Sequence, residues 1–115
     1  MIIKEGDIIL YRFLPGYYQF QNQAEIDELK NVYDEDFNII HTKDNITKEW
    51  EIGDINWFAG QHIEKYYPLW KQSNITREGG DNLTTMNTFI DAVRAWANQE
   101  TLPDPWDGTL EDITP

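Results

Sequence analysis

Residues 67–99 read YPLWKQSNITREGGDNLTTMNTFIDAVRAWANQ, and the fold is best worked out from this stretch. Met86, Phe89, Ile90, Val93, Trp96 and Ala97 recur at i, i+3, i+4 and i+7, the spacing of one helical face. Asp91, Arg94, Asn98 and Gln99 fall largely off that stripe, so one side is suited to burial and the other to water. Pro68 fits a first helical turn, where its missing N–H leaves no bond unmade, and a helix over Leu69–Arg77 is expected to follow it. Gly79-Gly80 then supplies a left-handed stop. Asp81 or Asn82 is placed to cap the last helix. The expectation is a hairpin of two short amphipathic helices.

Upstream, strand chemistry takes over. Residues 2–14, IIKEGDIILYRFL, are dense in Ile, Leu, Tyr and Phe, with Gly6-Asp7 as a turn or bulge and Pro15-Gly16 as a stop. Strand propensity predicts β structure from about Asp7 to Phe13, with Gly16–Phe20 as a second short strand running back against it. In QAEIDELKNVY (23–33), Ile26, Leu29 and Val32/Tyr33 recur at helical spacing. Asn22 is available as N-cap, and Glu25 and Asp27 lie where the helix dipole favours acids. Asp34-Glu35-Asp36 ends that helix. FNIIHT (37–42) and TKEWE (47–51) read as the strands of a β-hairpin around Lys43-Asp44-Asn45. Between them and Tyr67 the signals conflict. Alternation in EWEIGDINWF favours a strand, whereas Ile55, Phe58, His62, Ile63 and Tyr66 fit a helical face, and Gly53 and Gly60 weaken both. Strand is assigned to about Glu51 and helix from about Gln61. LPDPWDGTLEDITP (102–115), with three prolines, reads as an extended tail with Trp106, Leu110 and Ile113 as apolar groups.

The expected fold class is α+β: a small N-terminal antiparallel β-sheet followed by a C-terminal helical hairpin and an extended tail. One domain is expected over 1–100, with 1–58 mainly β around the short helix near 23–33 and 61–100 helical. Residues 101–115 form the acidic tail.

The chain of 115 residues is long enough for a modest core, and 40% apolar residues with five Trp and six Tyr argue against disorder. It has no Cys, which excludes disulfides, thiolate catalysis and Cys-based zinc sites. No apolar run reaches the ~20 residues that cross a bilayer. MIIKEGDIIL lacks the basic-then-apolar order of a signal peptide, so a reducing compartment, or a particle assembled there, is expected. The net charge of −12 is concentrated. Residues 25–36 carry six acids against Lys30, and residues 100–115 carry five acids and no base. Such a chain is repelled by nucleic-acid phosphates and anionic membranes, and basic partners are favoured.

No constellation points to catalysis, metal or cofactor. His41 and His62 stand 21 residues apart, outside any metal-ligand spacing, and read as structural or exposed. Asp34-x-Asp36-x-Asn38 opens like a calcium loop, but Ile39 stands where such a loop requires Gly and Asn45 where it closes on an acid. There is no GxGxxG, Walker A or GxSxG pattern. The Asn-x-Thr triplets at Asn45, Asn74 and Asn82 read as chance or capping residues. Nothing singles out a carboxylate pair among 21 acids. The nine basic residues are scattered singly, so no stripe tracks a phosphate backbone. Five Trp exceed what so small a core readily holds, which points to partial exposure in a protein contact.

One resemblance emerges. Tyr67-Pro68-Leu69-Trp70-Lys71-Gln72, then Asn74-Ile75, the glycine break, and Met86-x-x-Phe89-Ile90-Asp91-x-x-Arg94-x-Trp96 resemble the C-terminal module of small tail and tail-fibre assembly proteins of tailed bacteriophages. In that family a YPxWKQxN helix precedes a second helix ending near an Arg and a Trp or small residues, then a Pro-rich acidic end. The resemblance spans residues 67–106, roughly a third of the chain, and residues 1–60 resemble no family. It implies a virion structural or assembly protein, not an enzyme, with other tail or fibre proteins, and possibly itself, as partners. Neither nucleic acid nor membrane is among them. The setting implied is the virion, or the host cytoplasm during assembly. Trp70, Gln72, Phe89, Arg94, Trp96, Trp106, Leu110 and Ile113 are the expected partner-binding residues. The acidic charge supports a different reading, an inhibitor that occupies the nucleic-acid groove of a host or defence enzyme.

Overall fold

Ile2–Glu5 (β1) turns through Gly6-Asp7 into Ile8–Arg12 (β2), and the two pair antiparallel from Ile2 opposite Arg12 to Glu5 opposite Ile8. A computed structural model describes residues 1–33, 35–37, 39–42 and 45–115, with the backbone alone for 32, 33 and 39–42. The chain divides into two compact units, 1–54 and 55–115, each taken by itself. The α+β expectation is borne out, with an antiparallel sheet leading into helices.

In the first unit, Asn22 Oδ1 accepts the Glu25 N–H at 3.0 Å and starts Gln23–Glu28 (α1), as its side chain is suited to do. The helix is shorter than its spacing suggested. Asn31–Tyr33 leave it to form β3, which pairs antiparallel with Ile39–Thr42 (β4). Ile46–Glu49 (β5) pairs with β1 instead, Ile2 opposite Glu49, giving a three-stranded order β2-β1-β5. The hairpin expected between β4 and β5 therefore does not form, because each strand finds a partner earlier in the chain. Gly16–Phe20 is not a strand either: Tyr17 N–H bonds to the Leu14 carbonyl in a turn, and β1 already supplies the returning partner of β2. Met1, Ile2 and Ile3 are all buried, as befits a central strand covered on both faces, and among the described side chains Ile26 and Ile46 are buried in this unit too. Asp34 and Asn38 of the calcium-like segment and Lys43 and Asp44 of the expected turn lie outside the described residues, as does the side chain of His41.

The division between units falls in the first turn of Ile52–Tyr66 (α2). This helix begins nine residues before the expected Gln61. Ile55, Ala59 and His62 recur on one buried face, while Gly60 meets open space, so its helix cost is outweighed by burial. Leu69–Glu78 (α3) follows, with Pro68 just outside as N-cap residue. Asp81–Ala97 (α4) buries Met86, Phe89, Ile90, Val93 and Trp96, the stripe read from the spacing. Its N-cap is Gly80, so neither Asp81 nor Asn82 caps it; Asp81 sits in the first turn, where the dipole favours an acid.

Gly79 (φ 68°, ψ −156°) and Gly80 (φ 76°, ψ −156°) are not in the left-handed helical region but in the extended mirror region open essentially to glycine alone. A Cβ on either meets no atom within 4 Å, so substitution strains the backbone and not the packing. Gly79→Ala and Gly80→Ala are each expected to cost about 1–3 kcal/mol, read as a lower urea midpoint at unchanged slope.

Residues 98–115 contain no helix or strand and are held by turns. Asp104 Oδ1 accepts the Trp106 N–H, and Asp107 Oδ1 accepts both the N–H and the hydroxyl of Thr109.

Candidate docking surface

The first unit builds its most buried polar group from three distant points in the chain. The Asp54 carboxylate, fully buried, accepts from the Met1 α-ammonium at 2.6 Å, the Tyr18 hydroxyl at 2.6 Å and the Glu51 N–H at 2.9 Å. The last contact is the N3-to-N-cap half of a capping box at the start of α2. The same ammonium donates to the Phe13 carbonyl at 2.9 Å, so the knot ties the start of β1, the end of β2 and the helix N-terminus together. Both oxygens of the carboxylate are engaged by donors of the same unit, which suits a clasp.

Burial and the bond to Asp54 both raise the Tyr18 pKa well above the ordinary phenol value, burial being the larger cause. A raised pKa favours the folded state fully below the unfolded value near pH 10, and that advantage is lost as pH rises through the folded value. Tyr18→Phe is therefore expected to flatten stability against pH above ~10, measured by urea melts at stepped pH.

β2 and the turn after it expose large apolar side chains. Ile8 is 67% exposed, Ile9 53% and Tyr11 48%, and Leu14 and Tyr17 are exposed just beyond. β2 is the terminal strand of its sheet, and large side chains on both of its faces are open to solvent. Tyr11 stacks on Phe13 with ring centroids 6.1 Å apart, and Phe20 stands edge-on to both. Arg12 meets Glu51 at 3.1 Å on the rim.

The second unit buries three of the eight residues expected to bind a partner, Phe89, Trp96 and Leu110. Phe89 and Trp96 are interior, Phe89 ringed by His62, Tyr66 and Tyr67. Trp96 Nε1 donates to Thr109 Oγ1 at 3.0 Å. Leu110 is buried, and the carbonyl of half-buried Ile113 accepts from His62 Nε2 at 2.6 Å, which places the proton on that nitrogen. Lys65 meets Glu111 at 3.6 Å. Residues 107–113 thus form a strap latched onto α2 and α4 of their own chain. Gln72 Nε2 donates to the Tyr67 carbonyl at 2.7 Å, and Trp106 is half-buried. Trp70, at 67% exposure, and Arg94 stand in solvent. The Thr109 hydroxyl and N–H hold Asp107 below its usual carboxylate range.

Ile8, Ile9 and Tyr11 did not figure among the expected contact residues. Their signal was present: IILY is a continuous apolar run, whereas a strand with one wet face alternates. Among the described residues no cluster of three or more His, Asp or Glu is placed to hold a metal ion, and no helix is long and apolar enough to cross a membrane. Comparison with family models, curated proteins and solved structures finds no match to the chain.

Proposed function

We propose that this chain works through protein–protein contacts, as a structural or assembly protein of a phage tail or tail fibre. The contact role is carried by one observation: large apolar side chains on β2, in the 14–17 turn and at Leu69-Trp70 are exposed. Patches of that kind mark interaction sites on soluble proteins. The phage assignment rests on the resemblance over residues 67–106. Its partners are then other tail or fibre proteins, met in the host cytoplasm during assembly or in the virion.

The acids are concentrated in two separate segments of the sequence, 25–36 and 100–115, and not spread along it as a phosphate-like stripe, which disfavours the groove-blocking alternative. Asp104, Asp107 and Glu111, three of the five acids of the last 16 residues, are engaged in turns or an ion pair of the strap. Salt separates the readings too, since groove binding weakens steeply with ionic strength and apolar docking does not.

Copurification from infected cells tests the proposal. A tagged chain is expected to bring down a tail or fibre protein at both low and high salt. Absence from particles, together with normal fibre assembly after its deletion, would defeat it.

A further inference from the structure

We propose that β2 pairs with β2 of a second copy of this chain, antiparallel about a two-fold axis at Ile9, joining two three-stranded sheets into one. The inference goes beyond the phage reading and stands without it.

The edge is chemically ready for a strand. Met1 and Phe13 exchange both backbone bonds, so the polar groups of Phe13 point toward β1. Alternation along an antiparallel strand then turns Arg12 outward and Tyr11 inward. Ile3 opposes Tyr11 and Lys4 opposes Ile9, which leaves Leu10 as the extra residue of a bulge and turns the N–H and C=O of Ile9 outward. Ile9 and Arg12 therefore share one face of the sheet, and Ile8 and Tyr11 share the other.

A two-fold axis perpendicular to the sheet keeps each face with itself, so it must pass between two copies of the same residue. With the axis at Ile9, Ile9 faces Ile9 of the second copy, and Ile8 faces Tyr11 of the second copy twice over. Each of the three exposed apolar side chains of β2 then gains an apolar cross-strand partner. Asp7, exposed in the turn ahead of β2, meets Arg12 of the second copy at both ends. Moving the axis to Tyr11 sets Arg12 against Ile9 and leaves Asp7 facing Leu14. Charge complementarity thus selects both the occupant and the register. So short a pairing belongs to the weak class of interfaces, with a dissociation constant on the order of 10–100 µM.

Sedimentation velocity of the full chain from roughly 1 to 300 µM is the test, since that range spans the expected constant. Wild type is expected to pass from monomer to dimer. Ile9→Lys sets two ammonium groups face to face on the axis and is expected to weaken the dimer at least ~10-fold. Asp7→Arg and Arg12→Glu each weaken it alone. Mixed together, they restore an acid–base pair at both ends and are expected to give heterodimers in preference to either homodimer. Circular dichroism identical to wild type confirms that the variants fold. Wild type that stays monomeric throughout overturns the proposal, whatever other strand the edge accepts. So does a dimer unmoved by Ile9→Lys, or a mixture with no preference for the heterodimer.

Discussion

Asp54→Ala is expected to remove about 3–5 kcal/mol of folding free energy, the loss typical of a buried ion pair deprived of one partner. The Met1 ammonium would stay buried with the Phe13 carbonyl and, at 3.9 Å, the half-exposed Glu51 carboxylate as its remaining partners, and the Tyr18 hydroxyl and Glu51 N–H would lose their acceptor. Asp54→Asn keeps the size and one acceptor oxygen but not the charge, and is expected to fall between wild type and alanine. Tyr18→Phe removes one hydrogen bond to the charged carboxylate and is expected to cost about 1.5–3 kcal/mol. Urea unfolding of the three variants tests this ranking. A loss below about 1 kcal/mol for Asp54→Ala would mean that the clasp contributes little, since small domains have only about 5–15 kcal/mol in total.

Leu110→Ala is the second large effect expected, at about 2–5 kcal/mol, because Leu110 is the buried anchor of the strap. The strap has no ladder of backbone bonds to fall back on. Apart from Leu110 it is held by the Trp96–Thr109 and His62–Ile113 bonds and the exposed Lys65–Glu111 pair. An exposed pair contributes only a few tenths of a kcal/mol to about 1 kcal/mol, so the apolar anchor dominates. Ile113→Ala keeps the carbonyl bond and trims a half-buried side chain, and is expected to cost distinctly less. Urea unfolding followed by circular dichroism measures both losses. Equal losses for the two variants would show that Leu110 is not the anchor.

How far these features could be read in advance depended on the distance over which each is decided. The α4 stripe was legible because its periodicity is local and its burial follows from it. The break at Gly79-Gly80 was legible as a break, though its backbone geometry was not, since glycine permits several conformations. Strand partners were much less so. β4 and β5 are separated by three residues and look like a hairpin, yet β5 pairs with β1, over forty residues earlier. The early start of α2 was masked by Gly53 and Gly60, whose local cost is offset by Ile55, Ala59 and His62. The clasp was invisible for the same reason: Tyr18 stands 36 positions from Asp54, and no local pattern links them. Among the expected contact residues, helical spacing could show that Phe89 and Trp96 lie on one face. Which face would be covered by the strap was a tertiary outcome.

The helix α3 has a consequence for motion. None of its residues is buried, its N-cap residue Pro68 offers no side-chain bond, and Leu69 and Trp70 face solvent. Ten residues are too few to hold a helix in water by propensity alone. Its backbone amides should therefore exchange with solvent far faster than those of α4, through openings that leave the rest of the second unit intact. Any partner that grips Trp70 would slow that exchange in α3 first, making this helix the most sensitive reporter of docking in the second unit.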